Sequence, residues 1–354
     1  FEDAGRSSTK FERTQSLNMP HSFRFLRFVT IGLFWGSILF PLHMHSQWSS
    51  GAHQSERTWR AAEVDWEHAK YVSAMNRYET WLEQSNDHAR SKVAIGTFRI
   101  AACAIHLQHA DAESRIQTFM DEFPESPMLQ EAQWMYANHL YRKRDWRDVI
   151  AAFDVIKTTR MPAEKELELT FKKGHAKFEL ERYDEARLDL YSVMEAGESA
   201  GIFADNSKYY FSHISYIKGQ PQVALTGFQE LVNHPKFGDI VPIYIAQLLH
   251  ETEQYDALIE YAPQVLHSDS RINEIQRADV SRLVGDALYR KQDFSGAYPY
   301  LEEAYTFSRG RERTRDFSYQ MGYVYYQEKE YRKAINCLTL SVREDDAMAQ
   351  NALY

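Results

Sequence analysis

One short motif in this sequence has the residue types that a hydrolase uses. Gly197-Glu198-Ser199-Ala200-Gly201 matches G-x-S-x-G, a pattern in which a strained turn between a strand and a helix exposes a nucleophilic serine. The residues before it, 191–196, follow a helical pattern, so Gly197 is predicted to end a helix and Gly201 to lie in a loop. We therefore expect no catalytic role for Ser199, and a hydrolase that uses Ser199 is kept only as a second alternative.

A pair of histidines has the spacing of metal ligands. His106 and His109 lie three residues apart on a predicted helix, where two imidazoles could share one ion. The sequence places no third ligand beside them, so histidines in solvent at a helix end are the simpler interpretation. The chain also has no P-loop, dinucleotide-binding, zinc-protease or calcium-loop motif. We predict no enzymatic activity, no catalytic residue, no cofactor and no metal.

A block of small and aromatic residues recurs along the chain, and this pattern predicts the helices that would position any site. It is clearest at 285–304 and 322–338. Aligned on one small residue of the first helix, the copies are 38, 37, 37, 38, 34, 39 and 37 residues apart. The aligned positions are Ala62, Ile100, Ala137, Gly174, Ser212, Ala246, Gly285 and Gly322. Small residues let two helices approach closely, so the pattern predicts stacked helix pairs.

Segments 284–304 and 321–338 resemble the tetratricopeptide repeat (TPR), a helix–turn–helix unit of about 34 residues. The resemblance implies an all-α fold, a right-handed α-solenoid of about eight such units at 56–344, with 345–354 as the start of a further, truncated repeat. Composition agrees, because 44% of the residues are hydrophobic, 14% are aromatic, and no run of alternating β-branched residues predicts a sheet.

The N-terminal part of the chain differs in character. Residues 1–18 are polar and aperiodic, and we predict that they are upstream or disordered sequence before a true start at Met19. Arg24 and Arg27 precede an apolar stretch at 28–42, which is shorter than the roughly 20 residues of a membrane span and fits a secretory signal. We predict a signal peptide at 19–46, cleavage between residues 46 and 52, and no membrane span after its removal.

A second resemblance, to exported proteins, agrees with the predicted signal peptide. The region after the signal, including 211–214, 237–242 and the terminus 350–354, looks like the N-terminal part of long exported repeat proteins of Bacteroidetes-type bacteria. This implies a periplasmic or outer-envelope location, and anchoring by an uncleaved N-terminal segment is the alternative. Cys103 and Cys337 are predicted to be buried free thiols, because they lie in distant repeats of a solenoid.

The repeat family also implies where a partner binds. Its first helices line a concave surface, and ligand contacts come from a few fixed positions on them. Carried onto this sequence, these positions predict a partner-binding row of Asn138, His175, Tyr209, His213, Tyr216, Asp286, Tyr289, Tyr319, Tyr323 and Tyr326. Tyrosine faces with amide, imidazole and carboxylate groups suit an extended peptide.

These observations together predict a class of function. The net charge of -9 argues against a nucleic-acid partner, since phosphate contacts need clustered Lys and Arg. We predict a non-enzymatic scaffold of the bacterial cell envelope that binds a peptide or protein in its concave groove. A regulatory repeat domain of a longer sensor or enzyme that continues past Tyr354 is the alternative. Peptide or folded-domain recognition, and the oligomeric state, are left open by the sequence.

Overall fold

The computed structural model describes residues 42–84, 89–267, 272–307, 314–342 and 346–353. These residues form seventeen α-helices and no strand, which confirms the all-α prediction. The helices are α1 (Leu42–Glu67), α2 (Tyr71–Glu83), α3 (Arg90–His106), α4 (Ala112–Glu122), α5 (Leu129–Lys143), α6 (Trp146–Asp154), α7 (Ala163–Glu179), α8 (Tyr183–Glu195), α9 (Ile202–Ile217), α10 (Pro221–Gln229), α11 (Val241–Glu251), α12 (Tyr255–Leu266), α13 (Glu274–Arg290), α14 (Phe294–Phe307), α15 (Arg315–Gln327), α16 (Tyr331–Ser341) and α17 (Ala347–Leu353).

Residues 1–52 and 53–354 form separate compact units. In the first unit, the described residues belong to the beginning of α1. The predicted upstream segment 1–18 and most of the predicted signal peptide lie outside the described residues.

The second unit is a series of helix pairs. Odd-numbered helices from α3 to α15 each pack against the even-numbered helix that follows, and each even-numbered helix from α2 to α16 packs against the next odd-numbered one. We call the odd-numbered members first helices and the even-numbered members second helices. Each pair buries its apolar face only between its neighbours, as in a solenoid.

The aligned small residues fix how closely two helices of a pair approach. All eight aligned positions are buried. At three of them a glycine lies against a leucine sixteen residues later: Gly174 with Leu190, Gly285 with Leu301 and Gly322 with Leu338. A Cβ added to Gly285 would lie 2.5 Å from Leu301 Cγ, closer than carbon atoms approach. The same register in three units confirms the repeat.

The turn inside each pair has one conformation throughout. One residue per turn has a positive φ between 54° and 67°, and these residues recur every 34 to 39 positions. They are Ala69, Gln108, Arg144, Glu181, Gly219, Glu253, Gln292 and Lys329. In each turn the following amide donates to a carbonyl five residues back, for example Asp145 N to Leu140 O at 3.1 Å, which is a Schellman closure of the first helix. Eight such turns agree with about eight repeat units.

Side-chain caps start the two first helices nearest the C-terminus. At α13 the Asn273 side chain accepts from Gln276 N at 3.0 Å, and the Gln276 side chain accepts from Asn273 N at 2.9 Å. At α15 Thr314 Oγ1 accepts from Phe317 N at 3.3 Å. Each cap contributes about 1 kcal/mol to helix stability, so the ends of both helices are well defined.

First helices lie closer to one another than second helices do. Helix α3 contacts α5, α7 contacts α9, and α11 contacts α13, whereas no two second helices in the described residues pack as closely. The first helices therefore form one continuous side of the second unit, which is the side that the sequence predicts for the partner.

Candidate functional site

A groove of about 770 Å³ opens on the first-helix side, near the C-terminal end of the stack. We refer to it as the α13 groove, because α13 supplies more of its lining residues than any other helix, and the others come from α11, α15 and α17. Its lining residues are Gln247, His250, Asp279, Arg282, Leu283, Asp286, Tyr289, Arg290, Asp316, Phe317, Tyr319, Gln320 and Met348.

The Asp286 carboxylate is the fixed centre of the α13 groove. Oδ2 accepts from Arg290 Nε at 2.7 Å and lies 2.6 Å from His250 Nε2 of α11, and Oδ1 accepts from Gln320 Nε2 of α15 at 2.7 Å. Burial alone would raise the pKa of Asp286, but the hydrogen bonds from Arg290, His250 and Gln320 outweigh it, so the pKa is lowered. Asp286 therefore stays ionised and joins three successive first helices.

The rim of the α13 groove carries charged groups that are free to meet a partner. Asp279, Arg282 and Asp316 are exposed, and none makes a hydrogen bond or ion pair with another residue that the structure describes. The Arg282 guanidinium lies 4.8 Å from the centre of the Phe317 ring on α15, so it reaches across to the neighbouring helix. Stacking leaves the edge of the guanidinium available to donate hydrogen bonds.

Three of the ten predicted binding residues line the α13 groove, namely Asp286, Tyr289 and Tyr319. Tyr323 lies just beyond it, with its ring centre 6.0 Å from that of Tyr289. Tyr326 is 54% exposed and lies beside Tyr323, with ring centres 6.5 Å apart. Burial raises the pKa of Tyr289 to about 12, so its hydroxyl remains a hydrogen-bond donor.

The other five predicted residues lie between α5 and α11, where they also contact neighbouring first helices. Asn138 Nδ2 donates to Trp134 O at 2.8 Å, and its Oδ1 accepts from Lys172 on α7. The Tyr141 hydroxyl of α5 is 2.7 Å from His175 Nδ1 on α7. The Asn138–Lys172 and Tyr141–His175 contacts each join residues 34 positions apart, one repeat along the chain.

The same holds for the residues on α9. Tyr216 donates to Glu251 Oε1 of α11 at 2.8 Å, and burial together with this bond raises the pKa of Tyr216 to about 12. Tyr209 stacks on Phe237 with ring centres 4.6 Å apart, and His213 lies among aromatic rings. Polar groups in the predicted row therefore join neighbouring first helices.

Several groove residues were not predicted from the sequence, chiefly His250, Arg282 and Gln247. The repeat period could have found them: Arg282 precedes Tyr319 by 37 residues, and His250 precedes Tyr289 by 39. Arg282 and His250 were missed because the prediction took only aromatic residues at their positions. Gln247 was missed because the prediction named no residue of α11, although Gln247 precedes Asp286 by 39 residues.

The two sequence features with catalytic residue types have structural explanations. Ser199 lies exposed in a 3₁₀ turn, Gly197–Ala200, between α8 and α9, so no strand precedes it. His109 Nδ1 pairs with Asp111 at 2.8 Å, and the His106 ring stacks on Tyr71 at 4.3 Å. Both cysteines are buried, as predicted, and Cys337 Sγ donates to the Tyr305 hydroxyl at 3.2 Å.

Two wider properties bear on the kind of site. In the part of the chain that the structure describes, no three His, Cys, Asp or Glu side chains are placed to hold a metal ion. Over the same residues, no helix combines enough length with enough apolar character to span a membrane.

No protein-family model and no curated protein matches the sequence. Among solved structures, a TPR protein of Parabacteroides merdae is 10% identical, covers 74% of this chain and 98% of its own, and has a TM-score of 0.44. The C-terminal part of a TPR protein of Cytophaga hutchinsonii is 12% identical, with 83% and 99% covered and a TM-score of 0.41. YrrB, a TPR protein with an unusual peptide-binding site, is 16% identical, with 61% and 97% covered and a TM-score of 0.44.

These likenesses are partial, and the repeat is established by the chain's own units. Eight helix pairs share one turn conformation, a spacing of 34 to 39 residues and one buried position that is small in seven of the eight, which is the organisation of the tetratricopeptide repeat. The chain has the fold of a TPR-like α-solenoid. The first helices of this solenoid carry the α13 groove.

Proposed function

We propose that this TPR-like protein is a non-enzymatic scaffold that binds an extended peptide segment of a protein partner in the α13 groove. The observation that carries the proposal is a groove of about 770 Å³ whose rim groups are exposed and unpaired while its central carboxylate is held by three donors. The fixed centre favours binding, because Asp286 and the side chains that hold it lose little conformational freedom when a partner arrives, and the unpaired rim groups are available for new hydrogen bonds.

The side chains of the α13 groove match what an extended peptide offers. Gln247 has both a donor and an acceptor for a peptide backbone, and Asp279 and Asp316 accept from backbone N–H groups or basic side chains. Arg282 donates to a backbone carbonyl or a carboxylate, and Tyr319 supplies an aromatic face at low entropic cost. Specificity would come from the order of these charges along the groove.

The test starts from peptides selected on the purified protein from a random-peptide library. We expect Arg282→Ala with Tyr319→Ala to weaken their binding roughly 10- to 100-fold, in the range of interface hot spots, as measured by isothermal titration calorimetry. Circular dichroism should show unchanged helicity, because Arg282 makes no ion pair with a described residue.

The chain offers a matched control on a second helix. Arg187 of α8 lies 4.9 Å from the Phe211 ring, much as Arg282 lies over Phe317, and Tyr191 is 47% exposed on the same helix. Arg187→Ala with Tyr191→Ala should leave peptide affinity unchanged. Equal weakening by both double variants, or none by the first, would rule out the α13 groove as the binding site.

We also propose that the scaffold acts in the bacterial cell envelope after export. The support is the order of Arg24 and Arg27 followed by the apolar stretch 28–42. Expression in a Gram-negative host followed by cell fractionation and N-terminal mass spectrometry should find a periplasmic chain that begins between residues 46 and 52. A chain that keeps 28–42, or that stays in the cytoplasm, would contradict this location.

A further inference from the structure

The first helices α5, α7, α9 and α11 carry His139, His175, His213 and His250. His175 and His213 directly follow the aligned positions Gly174 and Ser212, whereas His139 and His250 lie two and four residues after Ala137 and Ala246. The sequence contains no histidine after His267. Helices α13 to α16 therefore have the same architecture without this residue, and they form a built-in comparison.

His175 lies in a slot between three first helices. Its ring centre is 5.6 Å from Tyr141 on α5, 5.4 Å from Trp146 on α6 and 4.6 Å from Tyr210 on α9. Phe171 on its own helix stacks on it at 6.0 Å. Only 12% of the His175 side chain is exposed, so a charge on the ring would be largely removed from water.

The charged and titratable groups that face His175 mostly oppose its protonation. Burial is the largest cause, followed by the positive charges of Lys236 and Arg144, and together they lower the pKa of His175 to about 4. The Glu179 carboxylate lies 3.3 Å from Nε2, but 37% of its side chain is exposed, so water screens much of its attraction. The Tyr141 hydroxyl, 2.7 Å from Nδ1, satisfies the neutral ring.

His213 repeats this arrangement one unit later. Its ring is 5.6 Å from Phe178 on α7 and 5.2 Å from Tyr244 on α11, with Tyr209 and Tyr216 of its own helix at 6.1 and 6.4 Å. Burial lowers its pKa, and no charged group contributes. Its Nδ1 is buried and has no hydrogen-bond partner among the described residues, so a proton added there would find no acceptor.

The outer members of the series differ in their surroundings. Burial, with Lys143 and Arg142 nearby, lowers the pKa of His139. His250 instead faces the Asp286 carboxylate at 2.6 Å, and a proton there would strengthen that pair. The two central histidines are therefore the ones whose protonation opposes packing most directly.

We propose that mild acidification loosens the stack of first helices α5, α7 and α9 against α11, while α13 to α16 remain packed. An imidazolium at His175 or His213 can be hydrated only if the neighbouring aromatic rings separate. The solenoid would then have an acid-sensitive hinge in its middle, beside a part that does not respond. This inference is independent of what binds in the α13 groove.

The direction of the effect follows from proton linkage. In the open state both histidines titrate near their ordinary pKa of about 6.5, whereas in the packed state the pKa of His175 is about 4. The open state binds more protons between these values, so packing is complete above about pH 6.5 and is progressively lost as the pH falls towards 4. Each histidine changes the opening equilibrium by up to about tenfold per pH unit.

Hydrogen exchange with mass spectrometry on the whole chain tests the proposal, at pH 7.5 and pH 5.0 and after correction for intrinsic rates. We expect protection of 163–217 to fall at least tenfold at pH 5.0, with protection of 274–341 nearly unchanged. Carboxylates remain mostly ionised over this interval, so histidines dominate the change. An equal fall in both regions, or no fall in either, would overturn the hinge.

Two variants and a control assign the effect to the central histidines. His213→Phe keeps an aromatic ring, removes a nitrogen that has no partner and should remove part of the acid response without loss of folding at pH 7.5. His175→Gln should do the same while it still accepts from Tyr141. His267→Gln, at an exposed position, should leave the response intact. If His213→Phe folds and keeps the full acid response, His213 has no part in it.

Discussion

Replacing Phe228 with alanine should lower the free energy of unfolding by about 3 to 5 kcal/mol, the range observed for buried phenylalanines. Phe228 is fully buried on α10, and its ring stacks on Tyr244 of α11 with centres 5.2 Å apart. It also meets Tyr209 of α9 at 6.1 Å. The Phe228 side chain therefore packs on α9, the first helix of its own pair, and on α11, the first helix of the next pair. Its loss weakens the packing within the pair and between the two pairs.

Urea denaturation followed by circular dichroism measures this effect. The matched control is Val223→Ala on the same helix, because Val223 is 44% exposed and its truncation should cost less than about 1 kcal/mol. Hydrogen exchange should rise first in 202–251, since in a repeat protein a defect acts on its nearest neighbours. A loss similar to that of the Val223 variant would contradict the packing role of Phe228.

The helix pairing could be predicted from the sequence because it depends on side-chain size. Gly285 and Gly322 are sixteen residues before Leu301 and Leu338, and in both pairs the glycine leaves room for the leucine. A small residue that recurs at a fixed distance before a large one can be recognised from the amino-acid sequence alone. Pairing, unit count and the all-α class follow from this pattern.

The turn conformation could not be read in the same way. Every unit has one residue with positive φ, but only Gly219 among the eight is a glycine. At Arg144 or Glu181 the strain of the left-handed conformation, of the order of 1 kcal/mol, is offset by the hydrogen bonds that close the helix end. Backbone hydrogen bonding at the helix end, not the propensity of the residue type, determines these turns.

The candidate site was only partly predictable, for a geometric reason. A polar residue on a first helix can bond to the next first helix or remain available to a partner. In both cases it recurs at the repeat spacing, so the spacing in the sequence does not distinguish the two roles. Tyr141 with His175 and Lys172 with Asn138 have the first role, whereas Asp279 and Arg282 make no hydrogen bond or ion pair with a described residue. Only the three-dimensional structure distinguishes the two roles.

Replacing Asp286 with alanine should lower both stability and peptide affinity. The substitution leaves the donors of Arg290, Gln320 and His250 without their acceptor in a site where the Asp286 side chain is only 21% exposed. Because water can reach part of the site, we expect a loss of about 2 to 3 kcal/mol in the free energy of unfolding, less than for a fully buried charge pair. Urea denaturation at pH 7 measures it.

Asp279→Ala separates folding from binding in the same groove. Asp279 lines the α13 groove seven residues earlier on α13, but it has no partner among the described residues, so its removal should change stability by less than about 0.5 kcal/mol. Library-selected peptides should still bind this variant less tightly if the groove is their site, because an exposed carboxylate is lost. Asp286→Ala should lower both stability and affinity, because it frees three side chains that shape the floor. If instead both variants leave peptide affinity unchanged while Asp286→Ala is destabilising, the Asp286 cluster only joins α11, α13 and α15, and the partner surface lies elsewhere on the first helices.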